Sequence, residues 1–191
     1  MSRSTRLILI CHGTTAATRI SAFPADEGLL APDSEVFARI NRALPHADQV
    51  LSAPEARTRQ TAEALAAQFS VDPALEDINC GRWAGKQLSD IEHEDPAGLM
   101  AWLTAPEAVP HGGESIVQAI ARIGDWLRDR TAAGGMTIAV THPAIARAAI
   151  VAVLEAPAAS FWKISAQPLG MTELTSDGRR WALKSFNRPA E

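Results

Sequence analysis

Apolar residues along the chain fall into short unbroken runs that alternate with stripes of helical spacing. Residues 7–10 are wholly apolar, as in a strand covered on both faces of a parallel sheet. Asp33 or Ser34 can cap a helix with Val36, Phe37, Ile40 and Leu44 on one face, ending near Pro45. Residues 49–52 read as a second strand, and after Pro54 a helix sets Ala62, Leu65, Ala66 and Phe69 at helical spacing. A long helix carries Ile116, Ile120, Ile123 and Leu127, spaced four, three and four. Residues 137–141 form another buried strand, and Pro143 suits the first turn of a helix that runs to about Leu154. Near the end, 171–175 and 180–186 flank Ser176, Asp177 and Gly178, a hairpin turn signal.

The stretch 79–113 is punctuated by glycine and proline and predicts one short helix near 97–103 between loops. No repeat or interdomain linker interrupts the alternation. Residues 1–191 are therefore expected to form one α/β domain, a three-layer sandwich with a mostly parallel central sheet and helices on both faces.

Composition narrows the chemistry. At 191 residues, with 47% apolar and 21% charged residues, the chain can bury a full core without staples. A net charge of −4 argues against general attraction to nucleic acid or to an anionic membrane. Cys11 and Cys80 are too few for a disulfide framework or a cysteine-based zinc site. The absence of tyrosine removes tyrosyl nucleophiles and acids. The first apolar run is too short for an export signal, and no window approaches the roughly 18 apolar residues that span a bilayer. A cytoplasmic location is expected. Oligomeric state is not legible.

In open α/β sheets, ligands bind beyond the carboxyl ends of the strands. Three expected strands here reach a basic side chain at that end. The first runs into His12, the second feeds a helix whose first turn offers Arg57, and the third runs into His142. Two imidazoles and a guanidinium converging on helix N-termini make an anion pocket. Gly13 fits a turn where backbone approaches a ligand. Thr14 and Thr15 can either donate hydroxyls to phosphate oxygens or cap the following turn. Either Glu76 or Asp77 can protonate a leaving oxygen if burial raises its pKa. Rival motifs fail on spacing: there is no P-loop, nucleophile elbow, dinucleotide fingerprint or zincin pair.

With those residues in place, the chain resembles the histidine phosphatase superfamily, in its phosphoglycerate mutase-like branch. Cys11-His12-Gly13 stands where that family has Arg-His-Gly. Ser52, Arg57, Gln60, Thr61 and Ala62 match its second block, and Asp77, Gly81, Trp83 and Gly85 its third. Gly113-Glu114-Ser115 opens the long helix, and Thr141-His142 matches the last histidine block, with Pro143 in place of glycine. The resemblance implies that His12 is a nucleophile forming a phosphohistidine, and that Arg57 and His142 hold phosphoryl oxygens. It also implies that Asp77 protonates the leaving oxygen, that a small phosphorylated molecule is the partner, and that no metal or other cofactor takes part. Arg147 matches an arginine common in the family and reads as structural.

Cys11 is the departure. Losing one charge-assisted donor at that point costs about 2.7–4 kcal/mol, or 10²–10³ in rate. Arg19, on the loop leaving the nucleophile turn, can either substitute for it or stand as an exposed loop arginine. The function expected is a metal-independent phosphatase acting on a small phosphomonoester. The alternative is a weak or inactive member of the same fold that binds a phosphorylated or anionic ligand. The segment 86–110 is expected to cover the pocket, bringing Arg82, Lys86, His93 and Trp102 to its mouth.

Overall fold

The computed structural model describes residues 4–31 and 34–188. Strand β1 is Thr5–Cys11, and alternate side chains feed two different cores. Leu7 and Leu9 pack with Ile116, Ile123 and Ile145. Ile8 and Ile10 pack on the other face with Phe37, Ile40 and Leu65. The unbroken apolar run has this cause: with helices on both faces, no position from Leu7 to Ile10 meets water.

Strands β2 (Gln49–Ser52), β3 (Ser70–Val71), β4 (Gly135–Thr141), β5 (Met171–Ser176) and β6 (Trp181–Arg188) complete the sheet. It is six-stranded, in the order β3-β2-β4-β1-β5-β6. The first four strands in that order run parallel, and β5 and β6 add an antiparallel edge. The hairpin turn falls where the sequence signals it, with Asp177 Oδ1 accepting from the Arg179 and Arg180 N–H groups. Helices α1 (Ala16–Arg19), α2 (Ser34–Ala43), α3 (Ala56–Leu65), α4 (Leu88–Glu94), α5 (Pro96–Thr104), α6 (Ile116–Arg130) and α7 (Pro143–Val153) surround it. Residues of α2 and α3 join the core on one face, and those of α6 and α7 the core on the other. This is the expected three-layer α/β architecture. Among the described residues no helix is long and apolar enough to cross a membrane.

Three expectations about elements need correction. Ser34 is the first residue of α2, and Asp33, the alternative cap, lies outside the described residues. Helix α3 stops at Leu65, because Ala66 turns extended (φ −148°, ψ 140°) to lead into the edge strand β3. Phe69, expected on the helical stripe, still packs on the Ile8/Ile10 core, but from non-helical backbone. Burial alone therefore does not distinguish the two conformations at that point. The stretch 79–113 holds two helices rather than one. Asp95 makes the break between them: its N–H ends α4 on the Ile91 carbonyl, and its side chain caps α5 at Gly98. Gly81 ahead of them sits at φ +47°, where a Cβ would lie 2.2 Å from the His111 carbonyl oxygen, so only glycine fits.

Candidate active site

Parallel register brings the site together. Cys11 of β1 lies opposite Thr141 of β4, and Val140 lies opposite Ser52 of β2, so all three strands end at one edge. The residues following β1 and β4, His12 and His142, leave that edge side by side. Their ring centroids are 5.3 Å apart.

His12 is 3% exposed. Its Nδ1 lies 2.7 Å from the Gly13 carbonyl oxygen. An oxygen of that kind only accepts, so Nδ1 carries the proton and neutral His12 keeps its lone pair on Nε2. Burial first, and then the neighbouring His142, push the His12 pKa down to about 4. Near neutral pH this imidazole is uncharged. Gly13 is held in turn, its N–H donating to the Thr61 hydroxyl at 3.0 Å, which donates to the Arg57 carbonyl. The amide expected to face a ligand is thus occupied by Thr61.

Arg57, in the first turn of α3, is 1% exposed. One guanidinium nitrogen donates to Asp77 Oδ2 at 2.8 Å, and the other to the Ala25 carbonyl at 2.6 Å, with Glu27 at 3.9 Å. His142 precedes α7 and is fully buried. Its Nε2 is 2.9 Å from Glu55 Oε2, and its Nδ1 faces Asp77 Oδ2 at 3.3 Å. The pKa of Glu55 is lowered to about 2: burial works against this, but hydrogen bonding and charge from His142 outweigh it. Glu55 is therefore an acceptor, and His142 Nε2 is the donor.

Asp77 is positioned from several directions. Its N–H donates to Glu55 Oε1 at 2.8 Å. The approach to it is braced by Arg122, which forks onto both Glu114 oxygens and donates to the Ala74 and Glu76 carbonyls. Thr141 Oγ1 adds a bond to the Leu75 carbonyl. Of the two acidic candidates, Asp77 reaches His142 and lines the cavity with His12. The Glu76 carbonyl serves the brace.

A cavity of about 190 Å³ opens beside His12 and Asp77, with Arg57 and His142 buried behind its wall rather than lining it. His12, Thr15, Asp77, Trp102, Arg147 and Phe161 are among its walls. Thr15 caps α1, accepting from the Thr18 N–H, whereas Thr14 is exposed. Arg19 is exposed and lines a separate depression with Gly13, Thr14 and Leu29, so it does not reach the cavity as expected. Of the side chains expected at the mouth, only Trp102 is in the wall. Arg82 and Lys86 pair with Asp95 and Glu94, and His93 is exposed. Cys11 is 1% exposed, and burial pushes its thiol up to about 12, so it is neutral. Among the described residues no group of His, Cys, Asp and Glu is arranged to hold a metal ion. Glu55 went unnoticed in the sequence, since nothing about its spacing separates it from a solvated carboxylate.

Two imidazoles and a guanidinium gathered at the carboxyl ends of parallel strands define an α/β protein built around a small, apolar-walled cavity with a polar floor. The model of the histidine phosphatase superfamily (branch 1) matches residues 7–189. The chain belongs to that superfamily. It is 24% identical to phosphoserine phosphatase 1 of Hydrogenobacter thermophilus, over 95% of this chain and 92% of that protein. Its fold matches a mutant phosphoserine phosphatase of Entamoeba histolytica solved with phosphoserine (TM-score 0.86, 20% identity, 97% and 98% of the two chains). It also matches a mycobacterial glucosyl-3-phosphoglycerate phosphatase (TM-score 0.84, 23% identity, 97% and 99%). Family membership supports phosphatase activity on phosphomonoesters.

Proposed function

We propose that the protein hydrolyses a small phosphomonoester through a phosphohistidine at His12. The observation that carries this reading is the bond from His12 Nδ1 to the Gly13 carbonyl, which leaves the Nε2 lone pair for a nucleophile on a cavity it shares with Asp77. In the first step Nε2 bonds to phosphorus as the P–O bond to the leaving group breaks. Asp77, as general acid, gives a proton to the leaving oxygen. Water then attacks phosphorus as the P–N bond to His12 Nε2 breaks, and its proton goes to Asp77. Inorganic phosphate departs, and His12 is regenerated.

Arg57 and His142 stabilise the charge on the phosphoryl oxygens. Arg57 is paired with Asp77 in the resting site, so substrate binding exchanges one oxyanion partner for another. The small cavity favours a compact substrate, and the names of the relatives put phosphoserine and phosphoglycerates first in the assay. The test is phosphate release from a panel of phosphomonoesters in the presence of chelator, with acid quenching to trap an acid-labile phosphoprotein. Activity that disappears in His12→Ala supports the reading; undiminished activity in that variant overturns it.

A second reading has its own support. Arg57 and His142 already face carboxylates, and Cys11 offers no charge, which suits a weak or inactive protein that retains a phosphorylated ligand. Saturable phosphate binding without turnover on any substrate favours it.

A further inference from the structure

Charge around the cavity is nearly balanced before any substrate arrives. Arg57 is met by Asp77 at 2.8 Å and Glu27 at 3.9 Å, and His142 by Glu55 at 2.9 Å. A phosphomonoester brings a further charge of about −1.5 to −2. In a water-poor site that charge needs a cation not already spoken for.

Arg147 meets the requirement. Among the described residues it is the only lysine or arginine in the cavity wall. It sits in α7 just beyond His142, so its Cα is set by the same helix that holds that histidine. No hydrogen bond or ion pair joins its guanidinium to any described residue, and its Nε is buried without a partner. Its guanidinium carbon lies 5.7 Å from the Phe161 ring and 5.9 Å from the Trp162 ring, which flank it without neutralising it. Cys11, short and buried, lies within electrostatic reach of it, as does Asp77. Arginine is the side chain suited to forked binding of phosphate oxygens. Leaving the buried Nε of Arg147 without a partner is costly, and a structural arginine would be expected to have found a carboxylate or carbonyl.

We propose that Arg147 is a phosphate-binding residue, delivering from α7 the guanidinium that position 11 does not carry. This rests on the phosphatase reading for its kinetic consequences, but not for binding. Arg147 completes the anion site by adding the uncompensated positive charge. The role expected of Arg19 passes to a residue distant in sequence.

The experiment separates this from the phosphatase reading. Inorganic phosphate is titrated into wild type, Arg147→Met and Arg147→Lys by calorimetry, and turnover is measured with p-nitrophenyl phosphate, which has no second anionic group. Phosphate affinity is expected to fall about 10- to 100-fold in Arg147→Met, and kcat/KM by about 10² or more. Arg147→Lys should recover part of both, and Cys11→Arg combined with Arg147→Met should recover more turnover than Arg147→Met alone. Unchanged phosphate affinity in Arg147→Met overturns the proposal, as does a loss confined to substrates bearing a carboxylate. If wild type binds phosphate but turns nothing over, the phosphatase reading fails and the binding comparison still decides Arg147. Should Arg147→Met fail to fold, Arg147→Lys decides in its place: phosphate affinity equal to wild type despite loss of the fork overturns the proposal.

Discussion

The ring of His12 stands edge-on to that of His142, centroids 5.3 Å apart and planes at 64°. The backbone ties them as well, since the His12 N–H donates to the Thr141 carbonyl at 2.8 Å. Two protonated imidazoles at that distance repel each other, which is one reason, after burial, that His12 resists protonation.

Stability should therefore depend on His12 in mild acid. Its pKa is 6.5 unfolded and about 4 folded, so between those values the unfolded chain binds more protons and stability falls as pH falls. From pH 7 to 5 the loss is about 1–2 kcal/mol from this residue. Urea unfolding of wild type and His12→Asn at both pH values checks it, with a shallower dependence expected in the variant. Glu55 acts lower, its contribution being lost as pH falls from 4.5 to about 2.

Asp77→Asn should slow turnover mainly for substrates with poor leaving groups. A phenolate such as p-nitrophenolate leaves without protonation, whereas an alkoxide does not, so the general acid matters for the second. Comparing kcat for p-nitrophenyl phosphate and phosphoserine should give a ratio that moves by about 10². Equal loss on both would assign Asp77 to positioning instead.

Removing the brace should look like a weakened Asp77. Arg122→Met frees the Ala74 and Glu76 carbonyls and leaves Glu114 without its fork. A stability loss of about 1–3 kcal/mol is expected in thermal unfolding, together with a kcat loss that is larger for phosphoserine than for the aryl ester. A kcat ratio unchanged from wild type would mean that the other bonds suffice to hold Asp77.

Cys11 should be chemically silent. With its thiol pushed up to about 12 and almost fully buried, it is neither a nucleophile nor open to alkylation. Cys11→Ala should keep turnover within a few-fold of wild type, and iodoacetamide should leave native activity intact. Cys11→Arg alone should lower stability and bring no gain, because it forces a large charged side chain into a buried position and sets a second guanidinium within electrostatic reach of Arg147.

Position 11 also shows how far the chain can be read without its structure. The unbroken run 7–10, the helical stripe from Ile116 and the turn at Asp177 and Gly178 are local patterns, and the sheet, its two covered faces and the hairpin follow from them. His12, Arg57 and His142 were legible for a similar reason: each lies just beyond a strand, and strand ends are where such folds bind ligands. The helix predicted through Phe69 was not decided locally, since Phe69 reaches the same core from non-helical backbone and only pairing of β3 with β2 chose between the two.

Charge compensation was invisible for a deeper reason. Whether an ionised group is free or neutralised depends on which distant segments the fold sets beside it, and local sequence carries no trace of that. Glu55 meets His142, Asp77 meets Arg57, and Arg147 meets no carboxylate among the described residues, all through register and helix packing. The sequence by itself determined which chemistry-bearing residues reach the sheet edge. Only the tertiary structure decided which of their charges remain available to a ligand, because burial makes each pairing exclusive and each unpaired charge expensive.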